Sequence, residues 1–521
     1  MLTGDMLRRS ANRFPHKPAI LWEGHTLSYH ELNASANRLA NTLIAAGFGK
    51  GTKIGIISRN RTEYGIVFFG VSKSGCVLVN VSVLYAPDEL SFVLDKADIE
   101  LLFVEDLFAG KVEAVKDQLP KLREVVIIGG DGDAFTAFLA DGNVEEPEID
   151  LSEDDPFCMT YTGGTTGRPK GVLCSHRARA TTAHTVMVEE ALDERDVIGV
   201  VTPMFHVAAL NIMFQPAILT GATVTMLSKW DPVVFREMVR DTGMTATFFV
   251  PTQALMLVQD PGFKVDDYKS WRKVSFAGAP MPDWVQRELM AKLPNLRLTQ
   301  IYGQSEMGVI AVLPHWMLPV KLGAVGRESY NTDTRVVRPD GINVEPNGEI
   351  GEVICRGDSL MSEYYKEPKQ TEAFFRLGDD WGWSGDLATI DMDGYIYLVD
   401  RSKDMMISGG ENVYPSEIEA AIFELPAVSE CAVFGIPDDK WGEVPAAYVV
   451  LKTGTSLSED DVIKHCASKL ARFKRPRLVK FVDDFPKTPI GKIQKTKLRA
   501  SYWEDQDSQV RSSPGESHTM A

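Results

Sequence analysis

The segment Tyr161-Thr162-Gly163-Gly164-Thr165-Thr166-Gly167-Arg168-Pro169-Lys170-Gly171 is crowded with hydrogen-bond donors. Glycines let backbone N–H groups turn toward one centre, and threonine hydroxyls add more donors. A polyphosphate needs such a loop, although a surface turn can have the same composition. Two other phosphate loops are excluded by spacing. Gly167 is followed by Arg168 with no Lys-Ser/Thr pair in place for a Walker A loop, and the G-x-G-x-x-G spacing is missing. P-loop kinases and nicotinamide dehydrogenases are thereby removed. Much later, Pro486-Lys487-Thr488-Pro489-Ile490-Gly491-Lys492-Ile493 sets Lys492 behind a proline and a glycine. Composition alone makes Lys492 one surface lysine among many. Tyr302-Gly303-Gln304-Ser305-Glu306 puts a carboxylate beside a hydroxyl, and Trp383-Ser384-Gly385-Asp386 offers another carboxylate at a turn. A hard cation beside phosphates takes oxygen ligands of this kind.

These groups need elements to hold them. Leu32, Ala36, Leu39, Ala40 and Leu43 recur at helical spacing, and Gly47 stops that helix. Residues 53–57 read as a buried strand, 64–71 as a helix, and 101–104 and 125–128 as further strands. The strand predicted over 157–161 runs into the glycine-threonine loop, and that over 298–301 runs into Tyr302. Val233, Val234, Met238 and Val239 suit one helix face, Gly243 ends it, and 245–250 follows as a strand. This alternation predicts layered α/β structure with mainly parallel strands. From about Gly326 the rhythm changes. Strands at 334–337, 351–355 and 395–399, separated by Pro339-Asp340-Gly341 and Asp391-Met392-Asp393-Gly394, suit a small antiparallel or barrel-like unit. Ser416, with Glu419 three residues on, reads as the cap of a helix over 416–423. The charged cluster Asp400-Arg401-Ser402-Lys403-Asp404 is the best linker. The expected fold is α/β: a large N-terminal domain, 1–402, of layered α/β subdomains with a small β-barrel-like unit, then a smaller, mobile α+β C-terminal domain, 403–521. The polar tail from about Glu504 is expected to be disordered.

At 521 residues the chain exceeds one ordinary core. With 44% hydrophobic and 24% charged residues, its composition is globular. A net charge of −17 argues against general nucleic-acid binding. Within it, Arg472, Lys474, Arg475, Arg477, Lys480, Lys487, Lys492, Lys495, Lys497 and Arg499 form a basic stretch. On charge alone this reads more readily as a solvated face than as a dock for a phosphorylated ligand. The cysteines, Cys76, Cys158, Cys174, Cys355, Cys431 and Cys466, lack metal spacing and imply no disulfide framework. No secretory core and no apolar run long enough for a bilayer stand out, so a cytoplasmic location is expected.

The full string from Tyr161 to Gly171, joined with Tyr302–Glu306, Gly385-Asp386 and the Lys492 frame, resembles the adenylate-forming superfamily of acyl-CoA synthetases, peptide-synthetase adenylation domains and luciferases. The resemblance runs from about Asp5 to about Leu498 and is most like a free-standing fatty-acid or aromatic-acid CoA ligase. It implies ATP, Mg2+ and coenzyme A as cofactor and co-substrates. Thr162, Gly163, Gly164, Thr165, Thr166, Gly167 and Lys170 would wrap the phosphates. Tyr302 would stack on adenine, with Gly278, Ala279, Pro280, Gly303 and Gln304 lining the site. Ser305 would meet the α-phosphate, and Glu306, with Thr162, would hold the metal. Asp386 and Arg401 would reach the ribose. Trp383-Ser384 stands where the family often has His-Thr. Lys492 would bridge the substrate carboxylate and the α-phosphate.

Transfer needs an entering thiol. Ser408-Gly409-Gly410-Glu411-Asn412-Val413-Tyr414-Pro415 resembles the loop lining the family's pantetheine tunnel. Lys403 matches the hinge about which the C-terminal domain turns after adenylation. Phe473 would stack on the CoA adenine, and Arg475 and Arg477 would meet its phosphates. In acyl-CoA synthetases the position matched by His206 borders the acyl pocket and thiol path; a lone histidine beside apolar residues is otherwise a core side chain, and both readings stay open. By the same resemblance His206, Val207, Gly278 and Gly303 would outline the acyl pocket, and Ala208, Ala209, Leu210 and Met213 would extend its apolar walls. A medium-to-long fatty acid or a hydrophobic cyclic or aromatic acid is expected. The absence of the aspartate that adenylation domains carry at position 206 argues against an amino acid. Loading of a carrier protein, luciferase-like oxidation of the adenylate and a catalytically silent nucleotide binder remain as alternatives, and a homodimer is left open. The Lys492 frame also resembles the site at which bacterial acyl-CoA synthetases are silenced by lysine acetylation, which leaves a lysine acetyltransferase open as a partner. Acetylation would neutralise Lys492. Acetylated protein is expected to lose adenylation in an ATP–pyrophosphate exchange assay, and full activity would overturn this.

Overall fold

Buried parallel strands dominate the first part of the chain. In the computed structural model, which describes residues 1–130, 134–162, 168–378, 380–438, 440–487 and 493–503, two large sheets carry most of it. The first is seven-stranded, in the order Glu363–Tyr364, Lys170–Ser175, Pro156–Thr162, Val77–Asn80, Lys53–Ile57, Ile99–Glu105, Glu124–Ile128. The second is nine-stranded: Arg327–Glu328, Gly308–Leu313, Arg297–Gln304, Lys273–Phe276, Ala246–Phe249, Val197–Val200, Thr223–Met226, Pro18–Trp22, His25–Ser28. In both, the central pairs are parallel and antiparallel strands are added at the edge. Strands such as Val77–Asn80 and Lys273–Phe276 are buried along their whole length, as sheets covered on both faces require.

Local signals start and stop the covering helices. Tyr29–Ala45 begins with a capping box: the Ser28 hydroxyl accepts from Glu31 N at 3.2 Å, and Glu31 Oε2 accepts from Ser28 N at 2.8 Å. Its Leu39 leans on Gly70 of Thr62–Ser74, where an added Cβ would come within 2.6 Å of Leu39 Cδ2. That glycine lets the two helices approach. Thr62–Ser74 is buried from Tyr64 to Ser74, and Phe68 meets Phe69 and Phe157 edge to face, each at 5.1 Å. Pro232–Thr242 is capped by Asp231, whose carboxylate accepts from Val233 N at 2.8 Å, and it stops at Gly243 with φ 66°. The expected apolar face is corrected there. Phe235, Met238 and Val239 are buried, while Val233 and Val234 are 42% and 45% exposed on the first turn.

The later strands Asp333–Val337, Gly351–Arg356, Gly382–Ile390 and Ile396–Arg401 form a four-stranded sheet in that order. Among the described residues it does not close into a barrel. The two predicted turns are present, with Gly341 at φ 83° and Gly394 at φ 82°.

By packing, the chain divides into two compact units: Met1–Ser384 with Ala388–Leu398, and Gly385–Leu387 with the chain from Val399 onward. The second unit has its own sheet, in the order Glu411–Val413, Met406–Ser408, Gly442–Leu451, Val428–Asp438, with Leu478–Phe481 parallel to Gly442–Leu451. Pro415–Phe423 and Glu459–Lys469 cover a core of Met406, Ile418, Ile422, Val433, Val449, Val462 and Cys466. The capping box expected at Ser416 does not form. The residue before the helix is Tyr414, and Ser416 instead donates from N to Asp400 Oδ2 at 2.8 Å and from Oγ to Val399 O. Glu419 faces inward, accepting from Val433 N and pairing with Lys495, both at 2.7 Å. All six cysteines are buried free thiols. Among the described residues no helix is long and apolar enough to cross a membrane. The tail from Glu504 lies outside the described residues.

Candidate active site

Ligands of open α/β sheets sit outside the carboxyl ends of parallel strands. Three predicted site segments leave such ends in the nine-stranded sheet. His206 follows Val197–Val200, Gly278-Ala279-Pro280 follows Lys273–Phe276, and Ser305-Glu306 follows Arg297–Gln304. The last two strands are neighbours. Gly278 has φ 92° and, like Ala279 and Pro280, is exposed. In the seven-stranded sheet, Pro156–Thr162 and Lys170–Ser175 pair antiparallel with Thr162 opposite Lys170, which fixes the base of the glycine-threonine loop. Gly163, Gly164, Thr165, Thr166 and Gly167 lie outside the described residues.

Glu306 is set by a tight hairpin. Arg297–Gln304 pairs with Gly308–Leu313, and Gln304 lies opposite Gly308, so Ser305, Glu306 and Met307 make the turn. The register shifts between Tyr302 and Gly303. An added Cβ on Gly303 would fall well within 3.0 Å of the Gly308 carbonyl oxygen, a backbone atom that cannot give way. Gly303 is thus required by the hairpin itself, whatever room it leaves for a ligand. Tyr302 is buried in one cluster with Val172, Cys174, Met307 and Ile310. Gln304 Nε2 donates to Ser384 O at 2.9 Å. The Glu306 Oε1 atom accepts from the Tyr364 hydroxyl at 2.9 Å, and Lys170 Nζ stands 5.0 Å from the centre of the Tyr364 ring. Burial lowers the Lys170 pKa, while Glu306 and Glu367 draw it back up. Tyr364 escaped sequence reasoning, because nothing in Glu363-Tyr364-Tyr365-Lys366 marks a partner so distant in sequence.

His206 closes a turn in which its N donates to Pro203 O at 3.0 Å. Its Nδ1 accepts from Ala208 N at 3.2 Å, so the neutral ring carries its proton on Nε2. Burial pushes its pKa down to about 4. Val207 and Ala208 are half-buried, but Ala209, Leu210 and Met213, expected as pocket walls, belong to the packed core.

In the second unit Arg401 Nε pairs with Asp386 Oδ1 at 2.9 Å, and Asp386 is buried. Trp383, in the first unit, packs with Val337, Ile354 and Trp381, and Ser384 Oγ donates to Val353 O at 2.6 Å. The departure at Trp383-Ser384 thus serves local packing. Lys403 is half-buried in the turn after Arg401. Gly409 and Gly410, at φ 62° and 87°, are the two-residue turn joining Met406–Ser408 to Glu411–Val413. Trp441 lies against Gly409, where an added Cβ would come within 2.6 Å of Cε3. Phe473 packs partly against the unit's core, Arg475 Nε donates to Leu470 O at 3.1 Å, and Arg477 is exposed. Three members of the basic stretch, Lys474, Lys487 and Lys495, pair with Glu417, Glu430 and Glu419. Lys492 lies outside the described residues; Lys487 and Ile493 on either side of it form an antiparallel bridge. The hairpin geometry gives a direct expectation. Gly303→Ala should lower ATP–pyrophosphate exchange on the order of 100-fold by moving Glu306, while Gly110→Ala, whose methyl meets nothing within 4 Å, should not. Equal rates would overturn it.

The sequence matches the AMP-binding enzyme family over residues 7–365 and the AMP-binding enzyme C-terminal domain over residues 417–492. It is 35% identical over 504 residues to the long-chain-fatty-acid–CoA ligase FadD13 of Mycobacterium tuberculosis, covering 96% of this chain and 98% of that protein. It is likewise 35% identical over 497 residues to a feruloyl-CoA synthase of Amycolatopsis, covering 95% and 98%. The fold superposes on ATP-bound MatB from Rhodopseudomonas palustris with a TM-score of 0.88 at 28% identity, covering 96% of this chain and 99% of that one. With both domain matches in chain order and three site segments leaving the carboxyl ends of strands in one sheet, this chain belongs to the AMP-binding enzyme family of adenylate-forming ligases.

Proposed function

We propose that this AMP-forming ligase couples a hydrophobic carboxylic acid to coenzyme A in two steps. The carboxylate oxygen attacks the α-phosphorus of ATP, giving an acyl-adenylate and pyrophosphate. The CoA thiol then attacks the acyl carbon, giving a thioester and AMP. The observation that carries this reading is the convergence of His206, Gly278–Pro280 and Ser305–Glu306 on the carboxyl ends of strands in one sheet. In this reading Thr162, Gly163 to Gly167 and Lys170 receive the triphosphate, and Ser305 the α-phosphate. Tyr302, Gly303, Gln304, Gly278, Ala279 and Pro280 receive the adenine. Asp386 and Arg401 take the ribose hydroxyls. Lys492 draws the substrate carboxylate toward the α-phosphate. The first step gathers negative charge, so stabilisation is electrostatic and positional. Gly409, Gly410, Phe473, Arg475 and Arg477 receive CoA in the second step.

Mg2+ fits the donor set. Among the described residues no group of three or more His, Cys, Asp or Glu side chains stands together. A cation at Glu306 and Thr162 would therefore complete its shell with phosphate and water oxygens, the habit of magnesium. Bound there, it would neutralise charge on the phosphates.

The acid is argued from the walls. Val207 and Ala208 are apolar, and His206 is neutral, so this side of the pocket offers no cation for a second carboxylate. The two curated relatives name a long-chain fatty acid and an aromatic acid, both hydrophobic. AMP release with acetate, hexanoate, dodecanoate and ferulate, with and without CoA, tests this. Hexanoate should exceed acetate in kcat/KM by on the order of 100-fold, from about 0.8 kcal/mol per buried methylene. A preference for acetate would overturn the acyl assignment. Adenylate made without CoA turnover would redirect the second step to a carrier protein.

A histidine with its pKa near 4 stays neutral between about pH 6 and pH 8. Its charged form is already lost below that range, so raising the pH through it changes nothing at His206. His206→Gln should therefore give a pH–rate profile parallel to the parent's. A limb near pH 6.5 that vanishes in the variant would contradict this.

A further inference from the structure

Successive residues of an extended strand point to opposite faces. Glu363–Tyr364 is a short edge strand, with Tyr364 opposite Val172 and the N of the next residue, Tyr365, donating to Gly171 O at 2.8 Å. The two tyrosines therefore diverge. Tyr365 donates to Asp98 Oδ2 at 2.8 Å, and Asp98 also pairs with Lys121 at 2.8 Å and Lys366 at 2.6 Å. That clamp holds the edge strand in register from one side. On the other side Tyr364 meets Phe374 edge to face at 6.0 Å, its N donates to Thr371 Oγ1 at 3.0 Å, and its hydroxyl reaches Glu306. The same segment also grips the backbone of residue 306, with Met361 N donating to Glu306 O at 2.7 Å.

We infer that Tyr364 is a positioning residue for Glu306. Its hydroxyl claims one carboxylate oxygen and so sets the plane in which the other meets the cation of the ATP complex. The inference rests on the metal-binding role proposed for Glu306. Partners that orient a ligating carboxylate are typically worth about 10–100-fold in metal affinity. A hydroxyl on a ring held by Phe374 and overlain by Lys170 is suited to that task, since the ring has little freedom to follow the carboxylate.

The test compares Tyr364→Phe, Tyr365→Phe and Glu306→Gln with the parent. Mn2+ binding in the presence of ATP is read from the electron paramagnetic resonance signal of free Mn2+, alongside the Mg2+ half-saturation of pyrophosphate exchange. Tyr364→Phe, which keeps the ring, should weaken Mn2+ binding about tenfold, raise the Mg2+ requirement in step and leave the KM for the acid unchanged. Tyr365→Phe should leave Mn2+ binding at the parental value. If Glu306→Gln weakens Mn2+ binding while Tyr364→Phe stays within about twofold of the parent, the positioning role is overturned. An equal loss in both tyrosine variants also overturns it, because loosening of the strand would then explain both. Unchanged binding in Glu306→Gln would instead remove the metal role on which the inference rests.

Discussion

Parallel strands all end on the same edge of their sheet, so every connection that leaves a carboxyl end begins where its neighbours begin. Here that constraint gathers chemistry from distant sequence. Residues 206, 278–280 and 305–306 share no local signal, yet each follows a strand of one parallel set. The antiparallel strands added at the rims do different work. They return the chain tightly, as between Gln304 and Gly308, or close the base of a loop, as between Thr162 and Lys170.

Loops placed this way are only as exact as the scaffold beneath them. The scaffold is stiff where its elements are covered along their length. Thr62–Ser74 is covered from Tyr64 onward, and its aromatic side chains interlock with Phe157 and Phe214. Phe157 belongs to the strand that delivers Thr162. A rotamer change in that cluster would therefore be felt at the base of the glycine-threonine loop, since interiors at crystal-like density transmit displacement. Small residues admit this packing, as Gly70 does against Leu39.

Electrostatics follow the same division between scaffold and loop. His206 is kept neutral by its burial, which would suit the apolar acyl pocket proposed beside it. Burial pulls the Lys170 pKa down, and the carboxylates of Glu306 and Glu367 oppose that shift. The Tyr364 hydroxyl and ring serve both at once, one on the carboxylate and the other under the ammonium group.

Local physics was legible without coordinates. The Leu32 to Leu43 periodicity, the strand at Lys53–Ile57, the stop at Gly243 and the glycine turns at 341 and 394 depend on residues within a few positions of one another. The motifs of the adenylate-forming family were legible too, because their spacing is carried in the chain itself. Side-chain partnerships across the fold were not. Ser416 has the sequence of a cap, but Val399 and Asp400 claim it, and Glu419 turns inward to Val433 and Lys495. Val233 and Val234 fit an apolar stripe by period, yet the helix's first turn leaves them in water. That the Gly308 carbonyl leaves no room for a side chain at Gly303 is likewise visible only in the fold. The sequence by itself determined the local elements, the donor-rich loop and the family. Tertiary structure alone decided that Tyr364 meets Glu306, because that hydrogen bond joins the edge of one sheet to a turn of another, and no period within the chain encodes the distance between them.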